Sequence, residues 1–67
     1  MKGIIARLVV DKNFGFITSD ENGKDYFFHR SELMNETAFN QQLKGRSVTF
    51  EDGDGPKGQR AEQVYVE

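Results

Sequence analysis

Two aromatic segments flanking an Asn-Gly turn limit what this chain can fold into more than any other feature. The first is Lys12-Asn13-Phe14-Gly15-Phe16-Ile17 and the second Asp25-Tyr26-Phe27-Phe28-His29-Arg30, so four of the six phenylalanines fall in two short runs. Between them lies the polar stretch Ser19-Asp20-Glu21-Asn22-Gly23-Lys24. Two β-forming runs joined through Asn-Gly read as a hairpin. Alternate side chains of a strand share a face, so Phe14 and Phe16 point one way while Gly15 and Ile17 point the other. On the second run Phe27 and His29 share a face, opposite Tyr26 and Phe28. A hairpin centred on the Glu21-Asn22 bond sets Phe16 opposite Phe27 and Phe14 opposite His29. One face then carries three phenylalanines and an imidazole, with Lys12 and Arg30 beside them. An aromatic surface with adjacent cations is suited to stacking nucleic-acid bases.

The plain alternative is that these rings are core, the usual place for phenylalanine. Burying both parities of the hairpin requires cover on both faces, and 67 residues leave little to supply it. Ile17, Tyr26 and Phe28 already furnish an inner face, with Ile5, Leu33, Val48 and Val64 as companions. The competing use of an exposed aromatic patch is a protein–protein interface.

Size sets the remaining terms. A single domain spanning residues 1–67 is expected, and a core this small supplies only about 3–5 kcal/mol net. With no cysteine and one histidine, neither a disulfide framework nor a thiolate metal site is available. Closing a sheet on itself stabilises such a chain by removing its edges. No run approaches the roughly 18 apolar residues of a membrane helix, and the N-terminus lacks an apolar signal region. A cytoplasmic location is therefore expected, with no membrane partner. The formal net charge of −2 excludes a polyanion binder that works by net charge alone. The eleven carboxylates fall mostly in turns and at the termini, and no nucleophile is evident. No catalytic residue, cofactor or metal is expected.

Along the chain, Ile4-Ile5-Ala6-Arg7-Leu8-Val9-Val10 is β-rich without clean alternation, as in a strand buried on both faces or strongly bent. Its periodicity does not say where Arg7 points. Asp11-Lys12-Asn13 reads as a turn. Ser31 is placed to cap a single helical turn after the third strand. Residues 35–44 fit either a short helix, capped by Asn35 and ended by Gly45, or an irregular loop. Arg46-Ser47-Val48-Thr49-Phe50-Glu51 alternates well. Asp52-Gly53-Asp54-Gly55-Pro56-Lys57-Gly58 reads as a loop, and Arg60-Ala61-Glu62-Gln63-Val64-Tyr65-Val66 as a final strand. Five strands with a long connection between the third and fourth suggest an all-β, five-stranded antiparallel Greek-key barrel.

At this point the residues carry a resemblance. Lys12-Asn13-Phe14-Gly15-Phe16-Ile17 resembles the first ribonucleoprotein motif of the cold-shock domain family, and Phe27-Phe28-His29-Arg30-Ser31 resembles its second. Gly3, Gly45 and the late Gly55-Pro56-Lys57-Gly58 stretch extend the match over essentially the whole chain. Two motifs at this separation are a far stronger signal than a lone pattern. The resemblance implies an oligonucleotide/oligosaccharide-binding (OB) barrel that binds single-stranded RNA or DNA through its aromatic face. It also implies use as an RNA chaperone or transcription antiterminator. The residues expected to contact nucleic acid are Arg7, Lys12, Phe14, Phe16, Phe27, His29, Arg30, Phe39, Lys57 and Arg60.

This chain departs from the family pattern where the departures touch binding. The family usually has Lys-Trp-Phe-Asn in its first strand; here the stretch is Ala6-Arg7-Leu8-Val9, and the chain has no tryptophan. Arg30 stands where an aromatic usually follows the motif histidine. Gln59-Arg60 replaces a proline-glutamine pair, and the loop carrying Phe39 is one residue longer than usual. Arginine stacks on bases and pairs with phosphate, so binding is expected to continue with a changed mix of forces. Two alternatives stand beside this one. His29-Arg30-Ser31-Glu32-Leu33 also resembles the S1-like RNA-binding barrels, and the aromatic face could serve a protein interaction module. A monomer is expected, with self-association through that face as the variant.

Overall fold

Among the described residues, five strands close into a barrel in the order β1-β2-β3-β5-β4. They are β1 (Lys2–Val9), β2 (Phe14–Ser19), β3 (Asp25–His29), β4 (Ser47–Gly55) and β5 (Gly58–Val66). The structure is a computed structural model; it describes residues 1–35, 38–55 and 58–67, without the side chains of 54, 55 and 58. The pairings are antiparallel except at one seam, where β3 meets β5 in parallel through Phe27 and Arg60.

The β2–β3 register is centred on the Glu21-Asn22 bond, as expected, with Phe14 opposite His29 and Phe16 opposite Phe27 around a four-residue loop closed by the Ser19 N–H donating to the Lys24 carbonyl. Gly23 takes a left-handed φ of 72°, a conformation that costs glycine little. The Asn22 side chain closes the turn by accepting from the Lys24 backbone N–H at 2.9 Å. It also donates to the Tyr26 hydroxyl at 3.0 Å, which satisfies the polar end of a buried ring.

The broken alternation of the first strand has a specific cause. Ile5 pairs with Ile17 but Arg7 pairs with Phe16, so Ala6 is an extra residue, a β-bulge. Ala6 and Arg7 both face solvent, and Leu8 returns to the interior. A bulge bends its strand and increases local twist, which helps five strands close.

Ile5, Ile17, Tyr26, Phe28, Val48 and Val64 are almost fully buried, and Leu33 packs against them half-buried, as expected for the inner face. Burial of each large side chain contributes about 1.5–3 kcal/mol relative to exposure. Gly15 is where this core meets the sheet most closely. A Cβ there would lie 2.7 Å from the Arg7 carbonyl oxygen and 2.9 Å from both Leu8 Cδ2 and Phe28 Cε1. The glycine between Phe14 and Phe16 therefore lets β1 approach β2 over a filled interior.

Several local expectations are corrected. Of the two readings of residues 35–44 the loop holds among those described, with no α-helix and a single 3-10 turn, Gln41–Leu43, capped by Asn40. Asn35 instead bridges to β5, donating to the Val66 carbonyl and accepting from its N–H. The 3-10 turn Arg30–Glu32 is capped by His29, not Ser31. The stretch read as a loop from 52 to 58 is largely strand, with Asp52, Gly53, Asp54 and Gly55 pairing with Ala61, Arg60, Gln59 and Gly58. Backbone pairing to a neighbouring strand overrides the weak β preference of Gly and Asp.

Candidate nucleic-acid interface

The outer surface of β1, β2, β3 and β5 is organised by cross-strand rows. Arg7 pairs with Phe16, Phe16 with Phe27, and Phe27 with Arg60. Directly paired residues share a face, so two phenylalanines stand in the middle of a four-strand row with an arginine at each end. The neighbouring row runs Val9, Phe14, His29.

The three rings form one cluster. Phe14 and Phe27 lie 5.3 Å apart at 37°, and Phe16 stands edge-on to both, at 5.9 Å and 6.0 Å. Such tilted and edge-on contacts are the favoured aromatic geometries. All three are half-buried; they lean on one another and still present ring surface outward. His29 is exposed, and its Nδ1 accepts from the Ser31 backbone N–H at 3.1 Å. In the neutral ring that bond leaves the proton on Nε2. Asn13, with φ 61°, accepts from the Arg30 N–H at 2.8 Å, which ties the turn before β2 to the end of β3.

The cations surround these rows. Arg7, Lys12, Arg30 and Arg60 are all exposed. Arg7 gains a definite position from the bulge, beside Phe16, which alternation alone did not reveal. Arg60 stands in the aromatic row rather than beside a loop. Lys57 lies outside the described residues.

Phe39 is a correction. Expected as a stacking ring, it is 8% exposed and belongs to the core, with Phe28 edge-on at 6.3 Å. The Arg30 guanidinium sits 6.0 Å above its ring, so in this conformation Phe39 supports a cation instead of offering a face to a base. Val9, half-buried beside Phe14, also stands on this face, in a direction that only the bulge at Ala6 decides.

Comparison with known proteins agrees with the geometry. The 'Cold-shock' DNA-binding domain family matches residues 1–67. The cold shock-like protein CspA of Shewanella violacea is 44% identical over 56 residues, covering 84% of this chain and 79% of that protein. The cold shock-like protein CspB of Escherichia coli is 35% identical over 66 residues, covering 98% and 92%. The chain belongs to the cold-shock domain family of non-catalytic, nucleic-acid-binding OB barrels.

Proposed function

We propose that this chain binds single-stranded RNA or DNA by stacking bases on Phe14, Phe16, Phe27 and His29, while Arg7, Lys12, Arg30 and Arg60 contact phosphates. The observation that carries the reading is the Arg7, Phe16, Phe27, Arg60 row. Rings in its centre meet unpaired bases and cations at its ends meet the backbone on either side. A duplex keeps its bases stacked inside and offers no faces to these rings, so the preference is for single strands. Stacked, splayed bases are unavailable for pairing, which suits RNA chaperoning or transcription antitermination. The match to the cold-shock domain family supports this reading over the S1-like alternative.

Arginine at positions 7 and 30 shifts the balance from stacking toward charge. Each aromatic–base stack is worth roughly 1–3 kcal/mol. Each phosphate contact adds about 0.7 to the slope of log K against log salt for a single strand. Four engaged cations correspond to a slope near −3, giving a salt-sensitive binder for a chain of net charge −2. Fluorescence anisotropy with a labelled oligothymidine and its duplex counterpart, across a salt series, tests this. Single-strand preference with a slope between about −2 and −3 is expected. Equal binding to the duplex, or a slope near zero, overturns it.

A further inference from the structure

The row that carries the rings does not end at Arg60. Arg60 pairs with Gly53 on β4, and Gly53 has no side chain to fill its outer position. Glu62 fills it instead. A Cβ placed on Gly53 would lie 2.5 Å from Glu62 Cδ and 2.8 Å from Oε1, so the Glu62 carboxyl lies across the glycine. Across the same hairpin, Glu62 pairs directly with Glu51, and both are exposed. Like charges directly opposite each other on a sheet face are unfavourable, so this pair costs the fold something. The outer face thus runs Arg7, Phe16, Phe27, Arg60 and then a carboxyl, with a second carboxyl beside it.

We infer that Glu51 and Glu62 are specificity-determining residues that set the β4-side limit of the interface. A single strand lying over the aromatic rows meets Arg60 and then two negative groups, which repel the next phosphate and stop the track there. This inference rests on the single-strand reading above and adds to it a site length and a side on which the strand leaves. The charge does its work locally. Repulsion between unit charges across roughly 7 Å of water corresponds to about a threefold effect per carboxyl, and screening at physiological salt reduces it.

The test uses the whole chain with the double substitution Glu51→Gln and Glu62→Gln, and homothymidine strands from about 3 to about 20 nucleotides, a range bracketing OB-fold site sizes. Glutamine keeps the side-chain length over Gly53, and removing the like-charge pair relieves repulsion, so the variant folds. A control with Asp20→Asn and Glu21→Gln makes the same change in net charge at the β2–β3 turn. At low salt the unaltered chain reaches its affinity plateau at a shorter strand than the Glu51/Glu62 variant. The variant gains about threefold to tenfold on the longer strands only, and the gain fades as salt rises. A gain equal at every length, or one matched by the control, means net charge alone and overturns the inference. So does an unchanged plateau. If the unaltered chain binds no strand of any length, the single-strand reading falls and this inference with it; binding without a length-dependent gain removes only this inference.

Discussion

Replacing Phe27 with leucine separates stacking from packing better than any other single change. Phe27 touches both other rings of the face, at 5.3 Å from Phe14 and 6.0 Å from Phe16, and pairs with Arg60 across the parallel seam. Leucine keeps an apolar side chain against those neighbours and removes the π face. A full base stack is worth roughly 1–3 kcal/mol. One side of the Phe27 ring already leans on Phe14, so the lower part of that range applies, about 1–2 kcal/mol, or a five- to thirtyfold rise in Kd. The stability loss has a separate source. Volume-conserving swaps cost under about 1.5 kcal/mol, and the lost aromatic pairs add about 0.5–1.5 kcal/mol. Against a net stability of roughly 3–5 kcal/mol, a combined loss of up to about 3 kcal/mol leaves the variant marginal, so binding is read only on its measured folded fraction. Circular dichroism establishes the folded fraction, and anisotropy with labelled oligothymidine at low temperature and low salt gives Kd. A folded Phe27→Leu protein whose Kd stays within about twofold of the parent's refutes the stacking reasoning, since that is below the weakest stack.

Other consequences follow from particular contacts. Gly15→Ala forces a methyl against the Arg7 carbonyl, Leu8 and Phe28; about 1–3 kcal/mol of overpacking is expected, seen as a fall in Tm of roughly 4–8 °C per kcal/mol. An unchanged Tm would mean that β1 and β2 are not this close. Replacing Arg7 and Arg60 together by glutamine should lower the salt-dependence slope by about 1.4 while leaving binding at high salt nearly intact. A proportional loss at all salts would assign those side chains to stacking instead. Phe39→Leu should lower Tm by a few degrees, with about 1 kcal/mol of lost packing, and change Kd less than Phe27→Leu does. The reverse order would show that Phe39 leaves the core to meet the ligand.

The face was legible in the sequence because its determinants are local. Asn22-Gly23 marks the turn, a centre on the Glu21-Asn22 bond gives the register, and alternation then assigns Phe14, Phe16, Phe27 and His29 to one side. The inner face of Ile17, Tyr26 and Phe28 follows from the same parity. What the sequence concealed depends on other strands. The bulge at Ala6 arises from closing β1 against β2, and without it neither Arg7 nor Val9 can be assigned a direction. Gly53 and Asp54 carry turn-forming residue types, yet pairing with β5 keeps them in a strand, and the parallel β3–β5 seam, which no local signal announces, brings Arg60 into the aromatic row. Phe39 sits in a polar segment with no periodic partner strong enough to indicate burial. Its place in the core is decided by Phe28, which lies eleven residues earlier and on another element.

The claim that the two cross-strand rows are the nucleic-acid interface is tested most directly by NMR. Amide and aromatic resonances are followed while a short oligothymidine is added at low salt. Stacking predicts ring-current shifts concentrated at Phe14, Phe16, Phe27 and His29, with smaller amide shifts at Arg7, Lys12, Arg30 and Arg60. Shifts centred instead on the exposed Ile4 and Tyr65, away from these rows, or no shifts at all, would contradict it.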